Sequence, residues 1–210
     1  PFEVRHMGSK YPIFSFDFTG AKRGVLPASY DYLRLEGRMQ YRLNLPPIGY
    51  SQLMLEGGKI FGKVPYLLLK LHEGNGTYFY DRYAFSCMNF YEFSSDAWIS
   101  FFYEHHFNGF LLGRVPLLKK LNWREVFVFK GVYGTLSARN DGSLPNTKAV
   151  MLFPVGMSSV EHPYLETGFG IENIFRLLRV DCIWRLTHHR AVPGLSIPTF
   201  TVNFSLNRKF

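Results

Sequence analysis

Glu104-His105-His106 and His188-His189 are the residues of this chain whose types invite metal or acid–base chemistry. A zinc centre needs three or four imidazole, carboxylate or thiolate ligands converging on one point, and a general acid–base pair needs two groups within hydrogen-bond reach. Spacing argues against both. Consecutive residues of a β-strand point to opposite faces, so His105 and His106 cannot line one site without a bulge. Cys87 and Cys182 lie far apart in the chain and lack metal-ligand spacing, so they read as isolated apolar thiols. Gly168-x-Gly170 lacks the third glycine and following helix of a dinucleotide loop, and marks close packing instead. Asn75-Gly76-Thr77 fits a glycosylation sequon, yet a glycine at its centre makes a turn the plainer reading. No nucleophile–base pair stands out, so no catalytic, metal or cofactor-binding residue is assigned and the chain reads as non-enzymatic.

A larger set of charges shares one geometric property. Arg34, Arg38, Arg42, Glu104, His106, Glu166, Glu172, Arg179, Asp181 and Arg185 each alternate with apolar residues at a spacing of two. Leu33 to Leu45 is the clearest case, with apolar residues or Gly at odd positions and charged or amide residues at even ones. Such a strand has one greasy face and one ionic face. At about 3.3 Å per residue and a tilt of roughly 45°, it spans about 30 Å, the thickness of a bilayer's hydrocarbon core. A membrane barrel with an ionic lumen satisfies both faces. These charges are therefore lumen-facing candidates. They either select ions in an open pore or pair across the interior and hold a plug, and the presence of both signs favours pairing.

The elements that carry them follow in order. Tyr11–Thr19 alternates Phe14, Phe16 and Phe18 with Ser15, Asp17 and Thr19. Leu33–Leu45 ends at Pro46-Pro47, and Tyr50–Phe61 carries Gly57-Gly58, read as a bend or bulge. Asp96–Asn108 shows Ile99, Phe101, Tyr103 and Phe107 on one face, while Trp98 and Phe102 interrupt the polar one. Asn122–Thr135 reads as apolar on both faces. Leu165–Phe175, Arg179–Thr187 and Phe200–Leu206 complete the set, and Phe210 shares the apolar parity of the last strand. Barrels of this kind have short inner turns and long outer loops. Placing Phe210 on the inner side makes Arg176–Leu178 a tight inner turn, Gly109–Leu121 a longer inner connection, and Ala191–Ile197 and Leu136–Tyr164 outer loops. The pattern holds for eight strands only if Lys63–Phe93 is one long outer loop, whose Leu-rich part a wide lumen would hold away from water. The first strand near Tyr11 and the last near Phe204 are then expected to pair with strands outside this chain, because an eight-stranded barrel has no room for such an interior.

Composition narrows the classes further. Phe, Tyr and Trp make up 18% of the 210 residues and charged residues only 19%, with no apolar run long enough for a membrane helix. The net charge of +8 comes from basic residues interleaved singly along strands, without a nucleic-acid motif, so nucleic acid is not an expected partner. The absence of a signal peptide at Pro1 makes the chain either processed or the tail of a longer one.

Several runs resemble a Bacteroidota outer-membrane family of unknown function whose members begin with a carboxypeptidase-regulatory-like domain. They are Tyr80-Asp81-Arg82-Tyr83-Ala84-Phe85, Phe102 through Gly109, Pro116 through Leu121, and Gly168 through Asn173. The resemblance implies that residues 1–210 form the carboxy-terminal part of one outer-membrane β-barrel domain. A fainter similarity to BamA-like assembly factors implies eight of sixteen strands, all-β and antiparallel, with Arg82 as the lumen-loop candidate. Tyr83 stands where that family has Gly after the Arg, and Phe127–Gly131 lacks the Asp of its Phe-x-Asp-x-Gly motif. The implied role is envelope biogenesis or transport in the cell outer membrane, with outer-membrane lipid and other outer-membrane or periplasmic proteins as partners and no cofactor. A passive or gated pore and a soluble lipocalin-like binder are the alternatives.

Overall fold

The computed structural model describes residues 11–24, 29–189 and 196–206. Alternating aromatic and polar residues produce the strands, because the pleat sends each set to its own face. Eight of them form one antiparallel sheet: β1 Ile13–Ala21, β2 Tyr32–Leu45, β3 Gly49–Gly62, β6 Ala97–His106, β7 Arg124–Thr135, β9 Tyr164–Ile174, β10 Leu178–Arg185 and β11 Phe200–Leu206. Strands of 14 residues in β2 and β3 exceed the ordinary five or six. Three short strands, β4 Lys70–Leu71, β5 Phe93–Ser95 and β8 Ser158–Ser159, make a second small sheet within the long connections.

The large sheet is open. β1 and β11 are its two edges and do not pair with each other. β1 is exposed along nearly its whole length on both faces. At the other edge, Phe204 exchanges backbone hydrogen bonds with Tyr78 and Tyr80 at 2.7 and 2.8 Å.

The chain from the end of β3 through β5 folds back over one face of the sheet, which becomes the inner face. Its Phe85, Met88 and Phe93 pack with Met54, Phe102, Val132, Val160 and Tyr164 in one buried cluster. Val64 and Leu69 pack with Ile60 and Trp98 in another. This covering explains why Trp98 and Phe102 interrupt a polar face: each lies beneath the inserted segment rather than toward water. It also explains the doubly apolar β7, whose Val126, Val128 and Val132 are buried inward while Phe127 and Phe129 point outward.

Several boundaries differ from expectation. Gly57-Gly58 forms no bulge, since β2 and β3 pair without a register break from Tyr32↔Gly62 to Leu45↔Gly49. Gly58 is instead a close approach, because a Cβ there would lie 2.5 Å from the Trp98 ring and 2.7 Å from the Leu35 carbonyl oxygen. Phe175 ends no strand but sits in the turn after Ile174 with φ 50°, and Phe107 lies beyond β6. The 136–163 connection is more than a surface loop: buried Asn140 accepts the Val64 N–H and donates to Asp96. The irregularity in the sheet falls between Leu178 and Val180. Phe210 and residues 191–195 of the last expected outer loop lie outside the described residues.

Candidate functional site

The inner face is where the charged parity set converges, and its function is visible in what each side chain holds. From β3 to β11, every strand of the large sheet sends at least one polar side chain onto the inserted segment. Glu56 of β3 takes an ion pair from Lys70 at 2.8 Å. Glu104 of β6 takes Arg82 Nε at 2.8 Å and the Tyr80 hydroxyl. Lys130 of β7 donates to the carbonyls of Asp81 and Ala84 at 2.7 and 2.5 Å. Glu166 of β9 accepts the backbone N–H groups of Ser86 and Cys87 at 2.8 and 2.7 Å. Arg185 of β10 donates to the Cys87 carbonyl and to Glu92, the latter at 2.6 Å. Asn203 of β11 donates to the Thr77 carbonyl at 3.1 Å. Buried charges of this kind survive only when paired and hydrogen-bonded.

Around Glu104 the bonds form a network. Arg179 donates to Glu104 at 3.3 Å and to Asp181 at 2.7 Å, and all three are buried. His106 lies between Glu104, 3.4 Å away, and Glu172, 3.2 Å away, and stacks on the Tyr50 ring at 4.5 Å. Tyr80 is held between Lys130, 4.5 Å from its ring, and Arg179, 4.4 Å from it. Burial, with Glu104 adding to it, pushes the Tyr80 hydroxyl well above its ordinary pKa, so it stays a donor.

The ten parity candidates separate into groups. Glu104, His106, Glu172, Arg179 and Asp181 form the central network, which Arg82 joins from the segment. Glu166 and Arg185 form a second group nearer the long loops, with Tyr164 donating to Glu166 at 2.6 Å. Arg38 reaches the segment only through Glu56, 2.6 Å away. Arg34 pairs with Glu36 on its own strand and lies 5.4 Å from the Trp98 ring, and Arg42 lies 4.0 Å from the Tyr50 ring. The histidines do not converge. His105 bonds Ser51 at 2.8 Å and His188 bonds the His162 carbonyl at 2.8 Å, and no metal-holding cluster occurs among the described residues.

Glu56, Lys70, Lys130, Glu92 and Tyr80 are working parts that the sequence did not single out. Lys130 carried a usable signal, as a charge set between Val128 and Val132 in the inner row. Lys70 sits in the two-residue β4 and Glu92 in irregular chain, where no repeat is long enough for periodicity to mark a face.

Two groups of the segment are chemically quiet. Burial pushes the Cys87 thiol up to about 12, with Glu166 acting in the same direction. Burial pushes His72 down to about 3, so its ring is neutral where it bonds Ser95 at 3.0 Å.

Taken together, the geometry defines a mostly-β protein in which one open eight-stranded antiparallel sheet is fastened by its inner charges to a folded-back segment. Residues 3–138 match the family model of the C-terminal domain of DUF5686, a family of unknown function, and the chain belongs to that family. No curated protein matches the sequence.

Proposed function

We propose that this chain forms part of the wall of an outer-membrane β-barrel whose lumen is filled on this side by the 63–95 segment. Its role is non-enzymatic, in envelope biogenesis or transport. The carrying observation is the inversion of faces. Charged side chains are buried beneath the segment, while Phe16, Phe18, Ile99, Tyr133, Phe169, Trp184 and Phe200 stand exposed on the opposite face. Eight strands spaced about 4.8 Å apart make that apolar face about 35–40 Å wide. The largest apolar patch of an ordinary soluble monomer covers about 300–600 Å². Lipid is the medium that suits such a face.

Two further observations support the reading. β1, exposed on both faces, has an edge unpaired among the described residues and suited to further strands of a larger barrel. The inner charges of both signs are engaged with one another and with the segment, which favours a plugged interior over an ion-selective pore. Alkaline carbonate extraction of membranes tests the proposal. The chain is expected to stay in the outer-membrane pellet and to need detergent for release. Recovery in the aqueous fraction overturns the membrane reading in favour of a soluble binding protein.

A further inference from the structure

The two ends of the sheet differ in charge and in exposed apolar surface. At the short-turn end lie the β2–β3 turn, the 107–123 connection and the β9–β10 turn. Asn173 of the last donates to the Asn122 carbonyl of the connection at 2.7 Å, so the two form one surface. On it Leu117 is 83% and Phe175 89% exposed, with Leu111 and Leu121 also exposed. Among them stand Arg114, Lys119, Lys120 and Arg176, all exposed and without a carboxylate partner among the described residues. Glu125, the nearby acid, is turned onto the Leu112 N–H. At the long-loop end, basic Lys22, Arg23, Lys63, Arg139 and Lys148 are interspersed with Asp31, Asp141 and Glu161.

Cations that meet no carboxylate, Arg114 lying over the Phe110 ring at 4.1 Å, stand beside exposed leucine and phenylalanine and match a boundary that is anionic on one side and apolar on the other. The headgroup–acyl boundary of a bilayer has that character. These apolar side chains also lie at the rim of the apolar outer face, so a single medium covers both. We infer that the short-turn end is a docking surface for anionic phospholipid head groups, held by Arg114, Lys119, Lys120 and Arg176. The inference rests on the membrane-wall reading and adds a lipid preference to it.

Trp123, within the same connection, is a built-in reporter. The full chain carrying W184F is reconstituted in nanodiscs of equal phosphatidylglycerol and phosphatidylcholine, with one lipid at a time brominated high in its acyl chains. Trp98 is buried beneath the segment and gives a constant background. Brominated phosphatidylglycerol is expected to quench Trp123 about threefold more than brominated phosphatidylcholine, less so at high salt. The preference is expected to vanish in R114Q/K119Q/K120Q/R176Q. Equal quenching by the two lipids in the unsubstituted surface overturns the inference, as does a preference that survives the fourfold substitution. A parallel W123F chain reports Trp184 on the outer face, where both lipids should quench alike. No quenching there refutes the membrane-wall reading itself. Unchanged Trp184 quenching in the fourfold variant shows that its wall remains inserted.

Discussion

Replacing Glu104 with alanine tests whether inner-face charges fasten the segment to the wall. Glu104 is 1% exposed and serves Tyr80, Arg82, Arg179 and His106 at once. Removing one partner of a buried ion pair costs about 3–5 kcal/mol, because the remaining charge is left buried and unmatched. Two features place this case at the lower end. The Arg82 side chain is 37% exposed, so water replaces part of what it loses. Arg179 keeps its bonds to Asp181. A cost of about 3 kcal/mol corresponds to a roughly hundredfold rise in the population of opened segment. Hydrogen exchange reads this opening at two amides of the segment. Tyr80 N–H is bonded to Phe204 O at 2.8 Å and Phe85 N–H to Glu73 O at 2.8 Å. Both should exchange about a hundredfold faster in E104A, while β7 amides such as Val128 change far less. A rise below about fivefold at Tyr80 and Phe85 would show that apolar packing alone holds the segment. Equal acceleration at Val128 would show that Glu104 supports the whole fold and not the docking.

Acid should loosen the segment through His72, whose folded-state pKa of about 3 lies below the ordinary 6.5. The unfolded state binds the extra proton between those values, so stability is intact above about 6.5 and falls as pH drops toward 3. The loss at pH 5 is about 2 kcal/mol, and H72N should remove that share of the pH dependence of segment exchange. The Cys87 thiol, pushed up to about 12 and buried, should resist maleimide at pH 7 in a C182S chain and react fully after denaturation. Rapid labelling of the folded chain would contradict the docked position of the segment. G58A should lower stability by about 1–3 kcal/mol through overpacking against Trp98 and the Leu35 carbonyl, read as a fall in the unfolding midpoint. Deleting residues 74–86 should raise single-channel conductance in planar bilayers above that of the intact chain, and an unchanged conductance would refute the plug.

Period-two alternation made much of the sheet legible in advance. β2, β9, β10 and β11 carry uninterrupted parity, and their charged sides face inward as Arg38, Glu166, Glu172, Arg179, Asp181 and Arg185 show. That 63–93 holds no spanning strand followed from strand counting, since treating part of it as one reversed the short and long ends. What it touches was not legible. Tyr80 and Glu92 occupy irregular chain, where no repeat links a residue to a face, and their contacts are set by sheet positions as distant along the chain as Phe204 and Arg185. The Gly57-Gly58 error has the opposite origin. Glycine in a strand marks either a bulge or a close neighbour, and only the position of the Trp98 ring distinguishes them.

The breaks in parity carry information of their own. Inner positions that hold apolar residues, Met54, Ile60, Trp98, Phe102, Val128, Val132 and Ile183, are buried, whereas Arg38 and Arg42 remain largely accessible farther along β2. The apolar inner residues therefore trace the segment's footprint, and the charged ones within it mark its fastening points. An apolar core of equal volume could hold a segment as tightly as buried ion pairs do. It would not distinguish one register of docking from the next. Glu56, Lys130, Glu166 and Arg185 come from four different strands, and each meets a partner of its own along the segment: Lys70, two carbonyls, two N–H groups and Glu92. Sliding the segment by one residue would leave several of these buried charges unmatched at once, at a cost of several kcal/mol each. The ionic inner face thus fixes where the segment lies, while packing of Phe85, Met88 and Phe93 supplies most of the attraction that keeps it there.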